Sequence, residues 1–236
     1  MHAFESLDGG LLVDKPSGMT SHDVVDAIRR QFRIKKVGHC GTLDPAATGL
    51  LIIVLGKATR LSEKLMSDDK IYEGQIKFGE TTSSYDADGE LIASADVPPL
   101  TVEMLNQAAE AFVGDLLQVP PMVSAIKQGG IPLYKMARQG MEVERKPRLI
   151  HIYQYRFSSY SEPVASFRVA CTKGTYIRSL AHDIGQKMGC GAHLSALRRL
   201  GCGRFDVVDA TDLDTLLRMP VAELEKRVIP FLKLAA

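Results

Sequence analysis

The stretch G-H-C-G-T-L-D-P-A-A-T-G-L-L-I-I-V-L, residues 38–55, decides how the chain is read. Its second half, L-L-I-I-V-L at 50–55, is an unbroken apolar run that reads as a strand buried on both faces. Its first half is a loop. Gly38, Gly41 and Gly49 allow backbone angles that side chains resist, and Pro45 stiffens the turn. The order, loop before strand, excludes a phosphate cradle, which follows a strand and opens a helix. Gly49 and Gly56-Lys57 also miss the G-x4-G-K-[ST] spacing. Asp44 is the only carboxylate in the stretch. Two readings of it stand: an aspartate whose carboxylate bonds backbone N–H groups of its own turn, or a reacting group held on a rigid support.

Outward from this stretch, L-L-V-D-K-P-S-G (11–18) reads as a strand entering a Pro-Gly turn. Ser21 is placed to cap a helix over S-H-D-V-V-D-A-I-R-R-Q-F, where Val24, Val25, Ile28 and Phe32 form one apolar stripe. R-L-S-E-K-L-M reads as a short helix, and I-Y-E-G-Q-I-K-F-G alternates as a strand with Tyr72, Gly74, Ile76 and Phe78 on one face. T-T-S-S-Y-D-A-D-G-E is turn chemistry. A helix is expected over 102–113, then a Val-Pro-Pro boundary and a long excursion with Gly-Gly and Ile-Pro breaks. Two strands follow, H-I-Y-Q-Y-R-F and V-A-S-F-R-V-A-C. A helix opened by Lys173-Gly174-Thr175 carries Ile177, Leu180, Ala181, Ile184 and Met188 on one face, and the last segment is helical in composition. Strands and helices alternate without regular βαβ spacing. The expected class is α+β: a mixed, mostly antiparallel central sheet with flanking helices and loops.

The chain has 236 residues, 45% hydrophobic and 24% charged, enough for a sizeable core. No apolar run approaches the roughly 20 residues that cross a bilayer, and M-H-A-F-E-S-L-D-G-G lacks the basic and apolar regions of a secretory signal. Cys40, Cys171, Cys190 and Cys202 show no disulfide framework, so a reduced, cytoplasmic compartment is expected. The net charge of +1 is uneven. Lys127, Lys135, Arg138, Arg145, Lys146, Arg148 and Arg156 face only Glu142 and Glu144 over 127–156, and residues 29–36 add five cations with no acid. On charge alone, a polyanion-steering face and an ordinary solvated surface are equally good readings.

His182, Cys190, His193 and Cys202 match no zinc spacing, so no metal is expected. Cys40 beside His39 does not make a nucleophile, because adjacent side chains point apart. Arg178 sits among Tyr176, Ile177 and Leu180. If it is buried it requires a carboxylate, and Asp44 is the candidate that such a pairing would keep ionised.

Six blocks then carry a resemblance. D-K-P-S-G-M-T-S (14–21), the loop at 38–51, K-I-Y-E-G (70–74), P-P-M-V-S-A-I-K (120–127), Y-K-M-A-R-Q-G (134–140) and K-G-T-Y-I-R-S-L (173–180) resemble, in order, the TruB family of tRNA pseudouridine synthases. The resemblance implies the pseudouridine synthase fold around an RNA-binding cleft, in a single catalytic domain over residues 1–236. It implies conversion of the T-loop uridine of tRNA to pseudouridine without cofactor or metal. Matched residue by residue, Asp44 is the catalytic aspartate, attacking C1′ or uracil C6 or removing a ribose proton. Arg178 keeps Asp44 charged, and Tyr72 stacks on the uracil and serves the C5 proton. Tyr176 and Leu197 line the base pocket, His39 fills the space left by the flipped nucleotide, and Lys15 with Pro16 buttresses the loop. Residues 124–152 match an RNA-gripping thumb, in which Lys127, Arg138, Arg145 and Arg148 are the candidate RNA contacts.

The expected partner is the T-arm stem-loop of tRNA, with no membrane, no obligate protein partner and a monomeric state. One departure is plain: about thirty residues follow Arg204-Phe205-Asp206, too few for the PUA-type domain usual in the family. The rival readings are a pseudouridine synthase for another RNA and a tRNA-binding or folding module without catalysis. An aspartate glycosidase lacks an evident second carboxylate.

Overall fold

The computed structural model describes residues 7–124, 127–132, 136, 141 and 143–235, with only the backbone of 127, 128, 131 and 132. The chain forms two compact units. One holds the residues up to Tyr72 and those from Leu197 onward; the other is Glu73–Ala196.

The first unit opens with strand β1 (Gly9–Lys15) and helix α1 (Ser21–Phe32). The cap of α1 is Thr20, one residue before the serine expected from sequence. Its hydroxyl accepts from the Asp23 N–H, and the Asp23 carboxylate accepts from the Thr20 N–H, a reciprocal pairing that satisfies two helix-end donors. Val24, Val25, Ile28 and Phe32 are buried, as their spacing predicts. Strands β2 (Val37–Cys40) and β3 (Thr48–Leu55) are antiparallel neighbours, and β3 also runs antiparallel to β1. Period-two alternation sends Leu51, Ile53 and Leu55 into one apolar cluster with α1, and Leu50, Ile52 and Val54 into another. Burial on both faces is why 50–55 tolerates no polar residue. A 3-10 turn over Gly56–Leu61 precedes helix α2 (Ser62–Met66). Strand β4 (Lys70–Phe78) then leads into the second unit.

There, β5 (Glu80–Thr82) and β6 (Leu91–Ser94) form a hairpin around the turn-rich segment. Helix α3 is Val102–Ala109, followed by a 3-10 turn that ends at Phe112, so the helix expected to 113 stops early. Strand β7 (Gly114–Gln118) had no signal in the sequence. Strands β8 (Lys127–Gln128) and β9 (Ile131–Pro132) make a short hairpin. The long strand β10 (Arg148–Ser161) pairs antiparallel with β7 and with β11 (Val164–Cys171). The strand expected from His151 thus begins earlier, at Arg148, which the sequence places at the end of the excursion. Tyr155 packs against Phe157 and Phe167, with ring centroids 5.2 and 5.8 Å away. Helix α4 (Ile177–Lys187) buries Ile177, Leu180, Ala181 and Ile184.

Strand β12 (Ala192–Cys202) returns the chain to the first unit, where Arg198 and Arg199 pair in parallel with Thr48 and Gly49 of β3. The hairpin partner β13 (Phe205–Asp206) follows, then β14 (Thr211–Asp212), parallel to β1. Helices α5 (Leu213–Arg218) and α6 (Val221–Arg227), strand β15 (Ile229–Pro230) and helix α7 (Phe231–Ala235) complete the unit. Strand pairings within this unit are both parallel and antiparallel, and those joining β7, β10 and β11 are antiparallel.

Candidate active site

The loop between β2 and β3 presents Asp44, half-buried. Two glycines bound its turns: Gly41 has φ +90° and Gly49 has φ +100°. A Cβ at Gly49 would stand 2.3 Å from the carbonyl oxygen of Arg199, so the close β3–β12 approach excludes any other residue.

Between these glycines, neighbouring segments hold the backbone carbonyls. The Lys15 ammonium donates to the carbonyls of Pro45 (3.1 Å) and Pro16 (2.8 Å). The Gly18 N–H also donates to Pro45, at 2.9 Å, and the Ser17 hydroxyl donates to Ala46, at 3.1 Å. Ala47 N–H closes a turn onto the Asp44 carbonyl (3.1 Å). The Ser21 hydroxyl bonds both polar groups of Leu43, and the Arg199 guanidinium reaches the Gly41 carbonyl. The D-K-P-S-G-M-T-S block and β12 are therefore the supports of the loop.

Two buried cations, Lys15 and Arg199, bond the loop directly. Lys15 is fully buried, and burial pushes its ammonium down to about 8, while the nearby Asp44 carboxylate pulls the other way. His39, on β2 opposite Ile53, is held below the usual histidine range by burial and by the Arg199 charge, so it is a neutral imidazole at pH 7. The Cys40 thiol is buried and pushed up to about 12, which removes it as a nucleophile. Tyr72 is a buried strand residue on β4, and Leu197 is half-buried on β12.

The second unit carries the other candidates. Arg178, at the start of α4, is only 4% exposed. Its guanidinium donates to the carbonyls of Ser84 (3.1 Å) and Val123 (2.8 Å) and stands 3.4 Å from the Asp86 carboxylate. In the sequence Asp86 reads only as turn chemistry, not as a charge partner. The signal was faint, one aspartate in a run of Ser, Asp and Gly. Asp86 does shape a turn, accepting from Ser84 Oγ and from the Asp88 N–H. The preceding Tyr85 is left-handed (φ +64°) and its ring stacks on His182, with centroids 4.0 Å apart. Tyr176 caps α4, its backbone clasped in both directions by the Gln118 amide at 2.8 and 3.0 Å.

Of the expected RNA contacts, Arg148 is exposed on β10 and Arg145 donates to the Pro120 carbonyl at 3.2 Å. Arg138 and the Lys127 side chain lie outside the described residues. Among the described residues, no group of three or more His, Cys, Asp or Glu is placed to hold a metal ion, and no helix is long and apolar enough to cross a membrane.

Comparison with known proteins gives matches along almost the whole chain. Residues 29–177 match the profile described as TruB family pseudouridylate synthase, N-terminal domain, and residues 178–231 match that of the tRNA pseudouridylate synthase B C-terminal domain. A relative in Opitutus terrae named tRNA pseudouridine synthase B is 53% identical over 226 residues, covering 96% of this chain and 94% of the relative. One of the same name in Syntrophotalea carbinolica is 49% identical, covering 89% and 69%. Among solved structures, a chain from a Cbf5-Nop10-Gar1 complex superposes with a TM-score of 0.75 at 30% identity, over 96% of this chain and 61% of its own length. A chain from an H/ACA RNP bound to a substrate RNA containing 2′-deoxyuridine gives 0.68 at 28% identity, over 96% and 58%. This chain thus spans about three-fifths of those solved chains.

Proposed function

The chain belongs to the TruB family of pseudouridine synthases, and from that premise we propose that it isomerises the T-loop uridine of tRNA, position 55 in conventional numbering, to pseudouridine. The reaction conserves every atom but one exchanged proton. The C1′–N1 glycosidic bond breaks, the uracil turns over, C5 bonds to C1′, and the C5 proton leaves as N1 gains one.

In this reading Asp44 attacks C1′ or uracil C6, or removes a ribose proton. Each route needs a carboxylate held against the sugar and base, which lowers the barrier by positioning. The observation that carries the reading is the holding of the Asp44 loop through its carbonyls at Gly41, Leu43, Pro45 and Ala46. A loop fixed at so many points presents its one carboxylate in one direction, where a bland turn needs no such support. Arg178 keeps Asp44 charged, Tyr72 stacks on the uracil and serves the C5 proton, and Tyr176 and Leu197 wall the pocket. His39, neutral and partly buried, stands in for the flipped base, offsetting a few kcal/mol of lost stacking. Lys127, Arg138, Arg145 and Arg148 grip RNA phosphates, and the enzyme acts as a monomer in the cytoplasm without an obligate partner.

The test is an unmodified tRNA transcript incubated with the protein alone, then mapped for pseudouridine by carbodiimide labelling and primer extension. A new stop diagnostic of position 55 is expected. Stops elsewhere would move the reading to another RNA target, and none to a binding module.

A further inference from the structure

We propose that Ser21 and Arg199 are positioning residues for Asp44, a two-point clamp on the peptide groups that precede the aspartate. The inference rests on the role proposed for Asp44.

Ser21 begins with a surplus. Helix α1 is already capped by Thr20, so the Ser21 hydroxyl is not needed at the helix end. The side chain is buried, with the residue 1% exposed. Its oxygen accepts from the Leu43 N–H at 2.9 Å, and its proton goes to the Leu43 carbonyl at 3.3 Å. One hydroxyl has one proton and two lone pairs, enough for both bonds. It thereby grips both polar groups of the residue immediately before Asp44, and rotation of either peptide flanking Leu43 breaks a buried bond.

Arg199 holds the loop further back. It is 1% exposed, and among the described residues no carboxylate pairs with it. Its guanidinium donates instead to the carbonyls of Leu50 (Nε, 2.7 Å) and Gly41 (Nη2, 3.1 Å), spanning the two ends of the loop. A buried cation satisfied by carbonyls alone is expensive to keep. Arg198, its neighbour on β12, shows the ordinary alternative, a two-pronged ion pair with Asp14 at 2.6 and 3.0 Å. The cost at Arg199 is understandable if the loop's geometry matters to the reaction and not only to the fold.

The test uses the full chain and a T-arm stem-loop tritiated at uracil C5, with single-turnover release at saturating enzyme, affinity by filter binding, and thermal melting. Ser21→Ala removes one oxygen from the first residue of a capped helix. The expected result is a fall in release rate on the order of 10- to 100-fold, the cost of small misplacements, at unchanged affinity. Arg199→Met should lose rate in the same way, and Arg199→Lys, which keeps the charge and a single donor nitrogen, should recover part of it. Leu216→Val, at a fully buried position of α5 whose side chain makes no hydrogen bond to the loop, is the control for lowered stability alone and should keep its rate.

A wild-type rate in Ser21→Ala would overturn the clamp, as would an equal loss in Leu216→Val or a loss confined to affinity. If the Arg199 variants do not fold, Ser21→Ala decides alone. An inactive wild type would instead sink the reading of Asp44 itself.

Discussion

Arg178 and Asp86 form an ion pair 3.4 Å apart, the guanidinium buried and the carboxylate partly so, with side chains 5% and 17% exposed. Removing the Asp86 carboxylate takes one charge partner from a buried guanidinium, and truncating one side of a buried pair costs up to about 3–5 kcal/mol. Asp86→Ala should therefore destabilise the protein by roughly this amount, while Asp86→Asn, which can still accept from the Asp88 N–H, should lose less. Denaturant unfolding checks the order. Equal stability of Asp86→Ala and wild type would show that the pair is idle.

Lys15 should leave a signature in alkaline solution. Its folded value of about 8 lies below the ordinary lysine value of 10.5, so the unfolded chain holds the proton more tightly. Keeping Lys15 charged opposes folding below pH 8, and that opposition is relieved as pH rises towards 10.5. Wild type should gain stability relative to Lys15→Met between pH 7 and pH 9.5 in thermal melts. Parallel curves would contradict the shift. Lys15→Met should also slow the reaction, since both carbonyl contacts vanish.

Asp183 on α4 should respond in the opposite direction. Burial raises its carboxyl from 3.8 to about 6, so the folded state binds the proton first. Its contribution to stability rises as pH falls through 6 towards 3.8. Asp183→Asn should melt higher than wild type at pH 8, with the difference shrinking by pH 5. A difference constant across that range would argue against the burial effect.

The Cys40 thiol, buried and raised to about 12, should resist iodoacetamide in the native protein and react on unfolding. Cys40→Ala should keep turnover at a cost of about 1 kcal/mol in stability. Loss of turnover with stability intact would restore Cys40 as a participant.

What the sequence made legible depended on whether a residue's neighbours were local. Strand β3 was plain because six consecutive apolar residues fit only burial on two faces. Strand β12 was not, since A-H-L-S-A-L-R-R-L-G-C carries two arginines, and nothing local says that Arg199 is buried among carbonyls. Strand β7 escaped because Leu117 and Asp115 lie exposed at its turn-rich edge. At the site, Asp44 stood out through its glycines and proline, but Thr20 took the capping role expected of Ser21 and freed that hydroxyl for Leu43, 22 residues away. Asp86, 92 residues from Arg178 in the chain, looked like a turn because it is one as well.

The most direct test is tritium release from uracil C5 of a T-arm stem-loop, comparing wild type with Asp44→Asn, which keeps the size of the side chain and removes its charge. The account predicts release by wild type without added metal or cofactor and none by Asp44→Asn at equal affinity for the RNA. Release by Asp44→Asn at the wild-type rate would contradict it.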